Sequence, residues 1–222
     1  MADSGTPKGT FRSKMHEIMR ASILDAARER AANSKWASVR ISDIAEDVGV
    51  SRQTVYNEFG AKEELAQALF QNEVDFFTAG ILERIEGAPD IPTALIDTFG
   101  WVFESAENHA IIQRMILDAR QGASGNLLPM LTVRSDGVLL PVRALFLKAF
   151  TDRWPADDMK RAEQVIDLVI RMVISEIVMP SDQPRQDIIR HMVAMTAAVM
   201  KPAHADPERA YPALVVAGLE QS

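Results

Sequence analysis

Apolar residues recur at spacings of three and four along most of the chain, and no segment shows the strict alternation of a half-buried strand. This pattern predicts an all-α fold of about nine helices. Pro141 falls inside the seventh helix and should kink or divide it. The segments before Arg12 and after Lys201 read as irregular. The predicted helices cover residues 17–33, 42–48, 52–58, 61–86, 92–106, 109–121, 127–150, 157–178 and 183–200.

Two of the predicted helices are short and adjacent, within ISDIAEDVGVSRQTVYNEF at residues 41–59. Ser42 is the expected N-cap of the first helix, and Ser51 that of the second. Gly49 between them supplies the permissive backbone of a tight turn. Two short amphipathic helices joined through such a turn form a helix-turn-helix.

The second short helix has two chemically distinct faces when its residues are placed 100° apart. Val55 and Phe59 define the buried side, while Gln53 and Asn57 lie almost opposite. Amide side chains can each pair bidentately with adenine in the major groove, and Arg52 can read guanine or hold a phosphate. Thr54 and Tyr56, on the flanks, suit phosphate contacts. The pattern therefore predicts a DNA recognition helix.

The charge distribution limits the kind of DNA binding that is possible. The chain holds 24 Lys and Arg against 31 Asp and Glu, which gives a net charge of −7. Residues 1–60 carry nine basic and eight acidic groups, a balance of +1, and the rest of the chain is at −8. A general polyanion binder is excluded because phosphate binding needs an excess of cations. Contact with DNA must be local.

Lys62 stands at the start of the next predicted helix, after Ala61, which is a poor N-cap. The helix dipole disfavours a cation there by about 0.3–1 kcal/mol. A role as a phosphate anchor explains the placement. The alternatives are a pair with Glu58, four residues earlier, or a solvated charge.

The sequence around this motif resembles the TetR family of bacterial transcriptional regulators. The resemblance covers about 45 residues and includes an Ala-rich first helix and an exit of the form Phe-x-x-Lys-Glu-x-Leu. Two departures are visible: Asn57-Glu58 replaces an aromatic or His pair, and Trp36-Ala-Ser-Val replaces a Gly-containing turn. The matching residues are Ile23, Leu24, Ala26, Ala27, Ile41, Ser42, Ile44, Ala45, Val48, Gly49, Val50, Ser51, Thr54, Val55, Tyr56, Phe59, Lys62, Glu63 and Leu65.

The resemblance implies an N-terminal three-helix DNA-binding head at residues 12–60, a larger helical ligand-binding and dimerisation domain at 61–200, and an irregular tail at 201–222. It implies a homodimer, formed through the helices near 157–178 and 183–200, that binds a palindromic operator. We expect a repressor whose operator affinity is changed by a hydrophobic small molecule. The residues expected to contact DNA are Arg40, Ser42, Ser51, Arg52, Gln53, Thr54, Tyr56, Asn57 and Lys62.

Aromatic and Met side chains are frequent in the middle helices and could line a pocket for such a molecule. For any one of them, ordinary core packing is the commoner role. Arg114, Arg143 and Arg171 could meet a carboxylate or phosphate head group, although surface ion pairs are the commoner fate of an Arg. The residues expected to line the pocket are Phe99, Phe103, Arg114, Met115, Met130, Arg143, Phe146 and Met172.

Two other functions compete with a regulator. An α-helical enzyme or binding protein could act on an apolar ligand, but the sequence has no Cys, no catalytic motif and no phosphate loop, and its four His lack metal-ligand spacing. We therefore expect no catalysis, cofactor or metal. An architectural module would bind DNA weakly and without sequence preference. The chain has no apolar leader and no apolar run that could span a bilayer, which predicts a cytoplasmic protein.

Overall fold

A computed structural model describes residues 8–122, 127, 129, 136–155 and 158–200. Within these ranges the chain forms nine α-helices and a short 3-10 helix at Trp36–Ser38, and it contains no strand. None of the helices described is long and apolar enough to cross a membrane. The α-helices are α1 (Lys8–Asn33), α2 (Ile41–Val48), α3 (Arg52–Phe59), α4 (Lys62–Gly87), α5 (Ile91–Asn108), α6 (Ala110–Arg120), α7 (Asp136–Arg153), α8 (Met159–Val178) and α9 (Arg185–Met200).

The all-helical prediction is confirmed, and most helix ends lie within two residues of their predicted positions. Two starts were wrong: α1 begins at Lys8, so residues 8–11 are helical rather than irregular, and the helix predicted from residue 127 is α7, which begins at Asp136 and ends at Arg153. Pro7 immediately precedes this helix in the sequence, and no further proline follows until residue 89. Since Pro is favoured at the start of a helix and breaks its interior, no proline interrupts α1.

Of the two effects predicted for Pro141, division of the helix was wrong, because α7 runs from Asp136 to Arg153 through that residue, and a kink stays a prediction. Pro141 is the sixth residue of α7, and its missing N–H would have bonded the carbonyl of Gly137. The lost bond therefore lies close to the N-terminus of the helix. The predicted tail after residue 200 lies outside the described residues.

The chain divides into two compact units that do not follow its linear order. The first contains α1 to α3, the part of α4 up to Asp75, and α6; the second contains α4 from Phe76, α5 up to Ala106, and α7 to α9. The helix α6 thus belongs with the helix-turn-helix. The predicted boundary between a DNA-binding domain and a ligand-binding domain at residues 60 and 61 concerns function, not compactness, and stays a prediction.

The core of the first unit forms around α1, which packs against α2 and α6. Its fully buried side chains come from four helices and include Ile23, Ile44, Val55, Leu65 and Leu69. Each such side chain contributes about 1.5–3 kcal/mol when it is removed from water. The helix-turn-helix is therefore held by the same apolar cluster that anchors the first half of α4.

The core of the second unit forms along α5, where Leu95, Phe99 and Phe103 recur every four residues and are buried with Met192 of α9. Side chains of α8 and α9, including Met172 and Ile188, pack against this cluster. A separate contact joins α4 and α5 at Gly80: a Cβ there would lie 2.1 Å from the Trp101 ring. Glycine is thus required for this close packing.

Candidate DNA-binding and effector sites

The turn of the helix-turn-helix is closed by backbone hydrogen bonds around Gly49. Gly49 adopts a left-handed conformation with φ 76°, and its N–H donates to the carbonyl of Glu46 at 3.1 Å. The N–H of Val50 donates to the carbonyl of Ala45 at 2.9 Å. Together these two bonds form a Schellman motif, which satisfies the last carbonyls of α2. The predicted role of Gly49 is confirmed.

The two serines predicted as N-caps behave differently. The Oγ of Ser51 accepts from the backbone N–H of Thr54 at 3.0 Å, so the cap of α3 is confirmed. The cap predicted for Ser42 was wrong: Arg40 occupies the N-cap of α2 without a side-chain cap, and Ser42 donates instead to Asp43 Oδ1 at 3.0 Å. The N-cap thus lies two residues before its predicted position, and Ile41, the first residue of the helix, is buried.

The two faces of α3 lie where the sequence predicted them. Val55 and Phe59 are buried, at 0% and 7% exposure. Gln53 and Asn57 are exposed, and the Gln53 Nε2 donates to Asn57 Oδ1 at 2.9 Å. This bond uses one of the two Gln53 N–H groups and the Asn57 carbonyl oxygen. It leaves the Gln53 carbonyl oxygen and the Asn57 NH2 group available for other hydrogen bonds. The helix therefore presents a preformed pair of amides.

The other predicted DNA contacts surround these amides on the same unit. Arg40, Ser51, Arg52 and Tyr56 are exposed, and Ser42, Thr54 and Lys62 are partly exposed. All of them belong to the segment that runs from the start of α2 to the first turn of α4. The nine predicted residues therefore lie in one continuous segment of the first unit, none of them is buried, and their contacts with DNA stay predictions.

Lys62 is fixed by neighbours that the sequence did not suggest. Its Nζ donates to the Ala37 carbonyl at 3.1 Å and lies 5.3 Å from the centre of the Trp36 ring. Burial lowers the pKa of the Lys62 ammonium, although nearby Glu63 opposes this shift. An ammonium has three N–H donors, so the bond to Ala37 leaves two that could meet a phosphate. Glu58, the alternative partner, contacts His16 instead.

The first unit also contains a buried polar cluster that sequence reasoning missed. Glu73 of α4 is 4% exposed, and its Oε1 accepts from Arg28 Nε of α1 at 2.7 Å. Its Oε2 lies 2.9 Å from Nε2 of His109, the N-cap residue of α6. Arg28 also contacts Asp25 and Asn72. The cluster ties three helices of this unit to one carboxylate.

Competing effects set the charge of Glu73. Burial raises the pKa of this carboxyl group, but hydrogen bonds from His109 and Arg28 and the attraction of their charges outweigh burial and lower it. Arg28 in turn has its pKa raised: burial lowers it, and the bond to Glu73 more than compensates. The carboxylate is therefore ionised and paired at neutral pH.

The residues predicted to line an effector pocket are divided between the two units. Phe99, Phe103 and Met172 meet in the core cluster along α5, and Phe146 is also buried in the second unit. Met115 is buried in the first unit, and Met130 lies outside the described residues. The structure brings three of the eight together in one cluster, and their role in ligand binding stays a prediction.

The two arginines of this set each have acidic partners. Arg143 of α7 lies 3.1 Å from Glu163 and 3.5 Å from Asp167, both on α8. Arg114 pairs with Asp118 one turn later on α6, with Nη2 and Oδ1 2.8 Å apart. Asp118 is 3% exposed, and its pairing agrees with the rule that aspartate is rarely buried without a partner. Within the described residues, no cluster of three or more His, Asp or Glu could hold a metal ion.

Two family models match the chain. The model described as bacterial regulatory proteins, tetR family, matches residues 23–69. The model described as bacterial tetracyclin repressor, C-terminal domain, matches residues 90–202, about half of the chain. The first match contains the helix-turn-helix, and the second contains α5 to α9.

Individual relatives agree with these models. The chain is 29% identical over 167 residues to the HTH-type transcriptional regulator AlkX of Mycobacterium tuberculosis, which covers 74% of this chain and 77% of that protein. The crystal structure of the TetR family repressor AlkX from a Dietzia species, implicated in biodegradation of n-alkanes, aligns with a TM-score of 0.64 and 23% identity, over 82% of this chain and 97% of that chain. The structure of RolR with its ligand resorcinol aligns with a TM-score of 0.56 and 20% identity, over 87% and 97%. The two structural likenesses show the fold.

Replacing Glu73 by Gln should destabilise the first unit, because the neutral amide cannot balance Arg28 and His109. We expect a loss of about 2–3 kcal/mol at neutral pH, below the cost of breaking a wholly buried pair because Arg28 is about one-third exposed. The pKa of Glu73 is lowered on folding, so its contribution is complete above the ordinary glutamate pKa of about 4.3 and is lost as the pH falls through the lowered value. Urea unfolding followed by circular dichroism at pH 7 and at pH 3–4 measures both effects.

The matched control is Glu86→Gln, which removes the charge of an exposed carboxylate on the same helix. This variant should unfold at nearly the wild-type urea concentration at both pH values. An equal midpoint for Glu73→Gln and wild type at pH 7 would contradict the account of the cluster.

Proposed function

The chain belongs to the TetR family of bacterial transcriptional regulators, and we propose that it is a homodimeric repressor whose affinity for a palindromic operator changes when a hydrophobic small molecule binds. The DNA-binding part of this proposal rests most of all on α3. With Val55 and Phe59 buried, the amides of Gln53 and Asn57 are held on the outer side of a short helix. That is the geometry a recognition helix needs to reach base edges in the major groove.

The proposed roles of the DNA-contacting residues follow from their chemistry. Gln53 and Asn57 read bases, with adenine as the preferred partner of each amide, and Arg52 at the start of α3 reads guanine or holds a phosphate. The remaining residues position the helix on the backbone through hydroxyl, cationic and phenolic groups. They are Arg40, Ser42, Ser51, Thr54, Tyr56 and Lys62.

Dimerisation is supported by apolar side chains that the second unit exposes on its last two helices. Leu168 of α8 is 59% exposed, and Met195 of α9 is 50% exposed. A two-fold contact through α8 and α9 would remove both side chains from water. It would also place two helix-turn-helix units on one operator, so that each unit needs only a few cationic side chains. A chain with a net charge of −7 can then bind DNA with a few local donors.

The effector proposal rests on the apolar character of the second unit and on two of the similar structures. The AlkX repressor is implicated in n-alkane biodegradation, and RolR was solved with resorcinol. For this chain we propose an apolar or aromatic effector. It would contact aromatic and Met side chains of this unit, and Arg143 of α7 would meet its polar end.

Coupling between effector and operator requires a helix that both sites can bias. In the proposed mechanism, a few degrees of movement in α4 change the separation of the two recognition helices. An effector acts to the extent that it binds one state more tightly than the other. The proposal includes no catalysis, and it places the protein in the bacterial cytoplasm with its operator.

A comparison of two variants tests the proposed division between base reading and phosphate contact. Gln53→Ala should cost about 1–3 kcal/mol at one base position and relax the preference there. Lys62→Met keeps an apolar side chain beside Trp36 but removes the charge. It should weaken binding to all duplexes and reduce the slope of log affinity against log salt by about 0.9. Selection from random duplexes provides the operator, and fluorescence anisotropy over a range of salt measures both effects.

Gln71→Ala is the matched control, since Gln71 is an exposed glutamine on α4 whose amide bonds Asp75 four residues later. This variant should retain the wild-type base preference and salt slope. Small and equal effects of Gln53→Ala and Lys62→Met would instead favour the architectural module.

The dimer can be tested at its exposed apolar face. Leu168→Glu places a charge at the centre of the proposed contact and should convert the dimer to a monomer, with loss of operator binding. Leu145→Glu changes a leucine on α7 that is 42% exposed, and this control should leave the dimer intact. Sedimentation equilibrium measures the masses. A wild-type protein that sediments as a monomer would contradict the proposal.

A further inference from the structure

The C-terminal end of the recognition helix is held by two residues of α1. The Arg20 Nη1 donates to the backbone carbonyl of Glu58 at 2.8 Å, and its guanidinium lies 4.1 Å from the centre of the Phe59 ring. One turn earlier on α1, the His16 Nε2 lies 2.8 Å from Glu58 Oε2. We call these three residues, Arg20, His16 and Glu58, the α1 clamp.

The recognition helix needs such support because it is very short. It has eight residues, whereas isolated helices below about 12–15 residues are marginal in water. Its last carbonyls have no partner within the helix. Gly60 ends α3 with φ 84° and ψ −140°, outside the left-handed conformation that closes α2 at Gly49. Arg20 therefore supplies from α1 a bond that α2 makes with its own backbone.

The charge of Arg20 suits this position. The C-terminal end of a helix carries a partial negative charge, and a cation beside it is favourable. The same guanidinium covers the ring of Phe59, one of the two buried residues that orient α3. Arg20 thus fixes both the last turn and the apolar anchor of the helix.

The His16 contact concerns the one carboxylate of the recognition helix. The Glu58 side chain is 11% exposed, and Oε2 has no partner in hydrogen-bonding geometry among the residues that the structure describes. A polar atom of the described residues, the His16 Nε2, lies 2.8 Å from Glu58 Oε2. On a helix, Glu58 lies about 100° from Asn57, on the flank of the DNA-facing surface. His16 keeps this negative charge against α1, where it is turned away from phosphates.

We propose that Arg20 and His16 are positioning residues for operator recognition: they hold the end of α3 at the angle that lets Gln53 and Asn57 reach bases. This inference rests on the proposed function, since it assigns a role in reading the operator. Neither residue needs to touch DNA. Arg20 could otherwise be taken for a phosphate contact, because it is an arginine in a DNA-binding unit.

The salt dependence of binding separates the two roles. Loss of a phosphate contact lowers the slope of log affinity against log salt by about 0.9 and weakens selected and unrelated duplexes alike. Loss of a positioning residue leaves the slope unchanged and reduces the ratio between the two affinities. The test compares wild type, Arg20→Met and Arg20→Lys on the selected operator and on an unrelated duplex of equal length.

A second measurement examines the clamp without DNA. The N–H of Gly60 bonds the Tyr56 carbonyl at 2.9 Å in the last turn of α3, so its hydrogen exchange reports fraying of that end. Arg20→Met should accelerate this exchange by about tenfold or more, as expected for loss of a hydrogen bond to a charged group. Arg20→Lys retains a donor and the charge, so it should restore most of the protection and the selectivity. The control is Arg30→Met, which removes an exposed arginine of α1 that pairs with Asp47 of α2.

The Glu58 contact is tested by a double-mutant cycle. His16→Gln should lower the selectivity ratio several-fold because the Glu58 charge is then unpaired. Adding Glu58→Gln should recover most of that loss, which is the signature of coupled residues. Additive effects would overturn the role of His16.

Two further results would overturn the role proposed for Arg20: an unchanged Gly60 exchange rate in Arg20→Met, or a lower salt slope with equal loss on both duplexes. A wild-type protein that selects no duplex would overturn the proposed function, and with it the role of Arg20 and His16 in reading an operator. Gly60 exchange in Arg20→Met distinguishes this result from a failure of the structural inference: faster exchange would still show that α1 holds the end of α3.

Discussion

The burial of Val55 and Phe59 is the constraint on which the DNA-binding surface depends. An eight-residue helix contributes little stability of its own, so its orientation is set by the side chains it places in the core. Because these two residues are four apart, the opposite face is fixed as well, and it carries Gln53 and Asn57. The burial of Val55 and Phe59 therefore determines which side chains of α3 are exposed.

Polar contacts then determine how firmly this helix is held. Ser51 caps its first turn, and Arg20 binds the carbonyl of Glu58 in its last turn. The Glu73 cluster joins α1 to α4 and to the start of α6 within the same unit. The helix that supports the recognition helix is thus itself bonded to α4 and, through the same carboxylate, linked to the start of α6.

The sequence predicted features that depend on local spacing and missed those that depend on folding. The Ser51 cap and the buried pair at 55 and 59 follow from neighbours within four residues, and both are confirmed. The Glu73 cluster joins residues 45 and 36 positions apart, which no local pattern reveals. The Ser42 cap was wrong because Arg40, two residues earlier, is the N-cap of α2, and it makes no side-chain cap that a sequence pattern could reveal. The predicted effector residues share a composition but lie in two units, which periodicity cannot distinguish.

The central claim is that a two-fold pair of α3 helices reads DNA in the major groove through the outward amides. Dimethyl sulfate footprinting on the selected operator tests it directly, because the reagent methylates guanine N7 in the major groove and adenine N3 in the minor groove. The account predicts two protected guanine patches on one face of the duplex, with centres one or two helical turns, about 34 Å or a multiple, apart. A single patch, or protection confined to adenine N3, would contradict it.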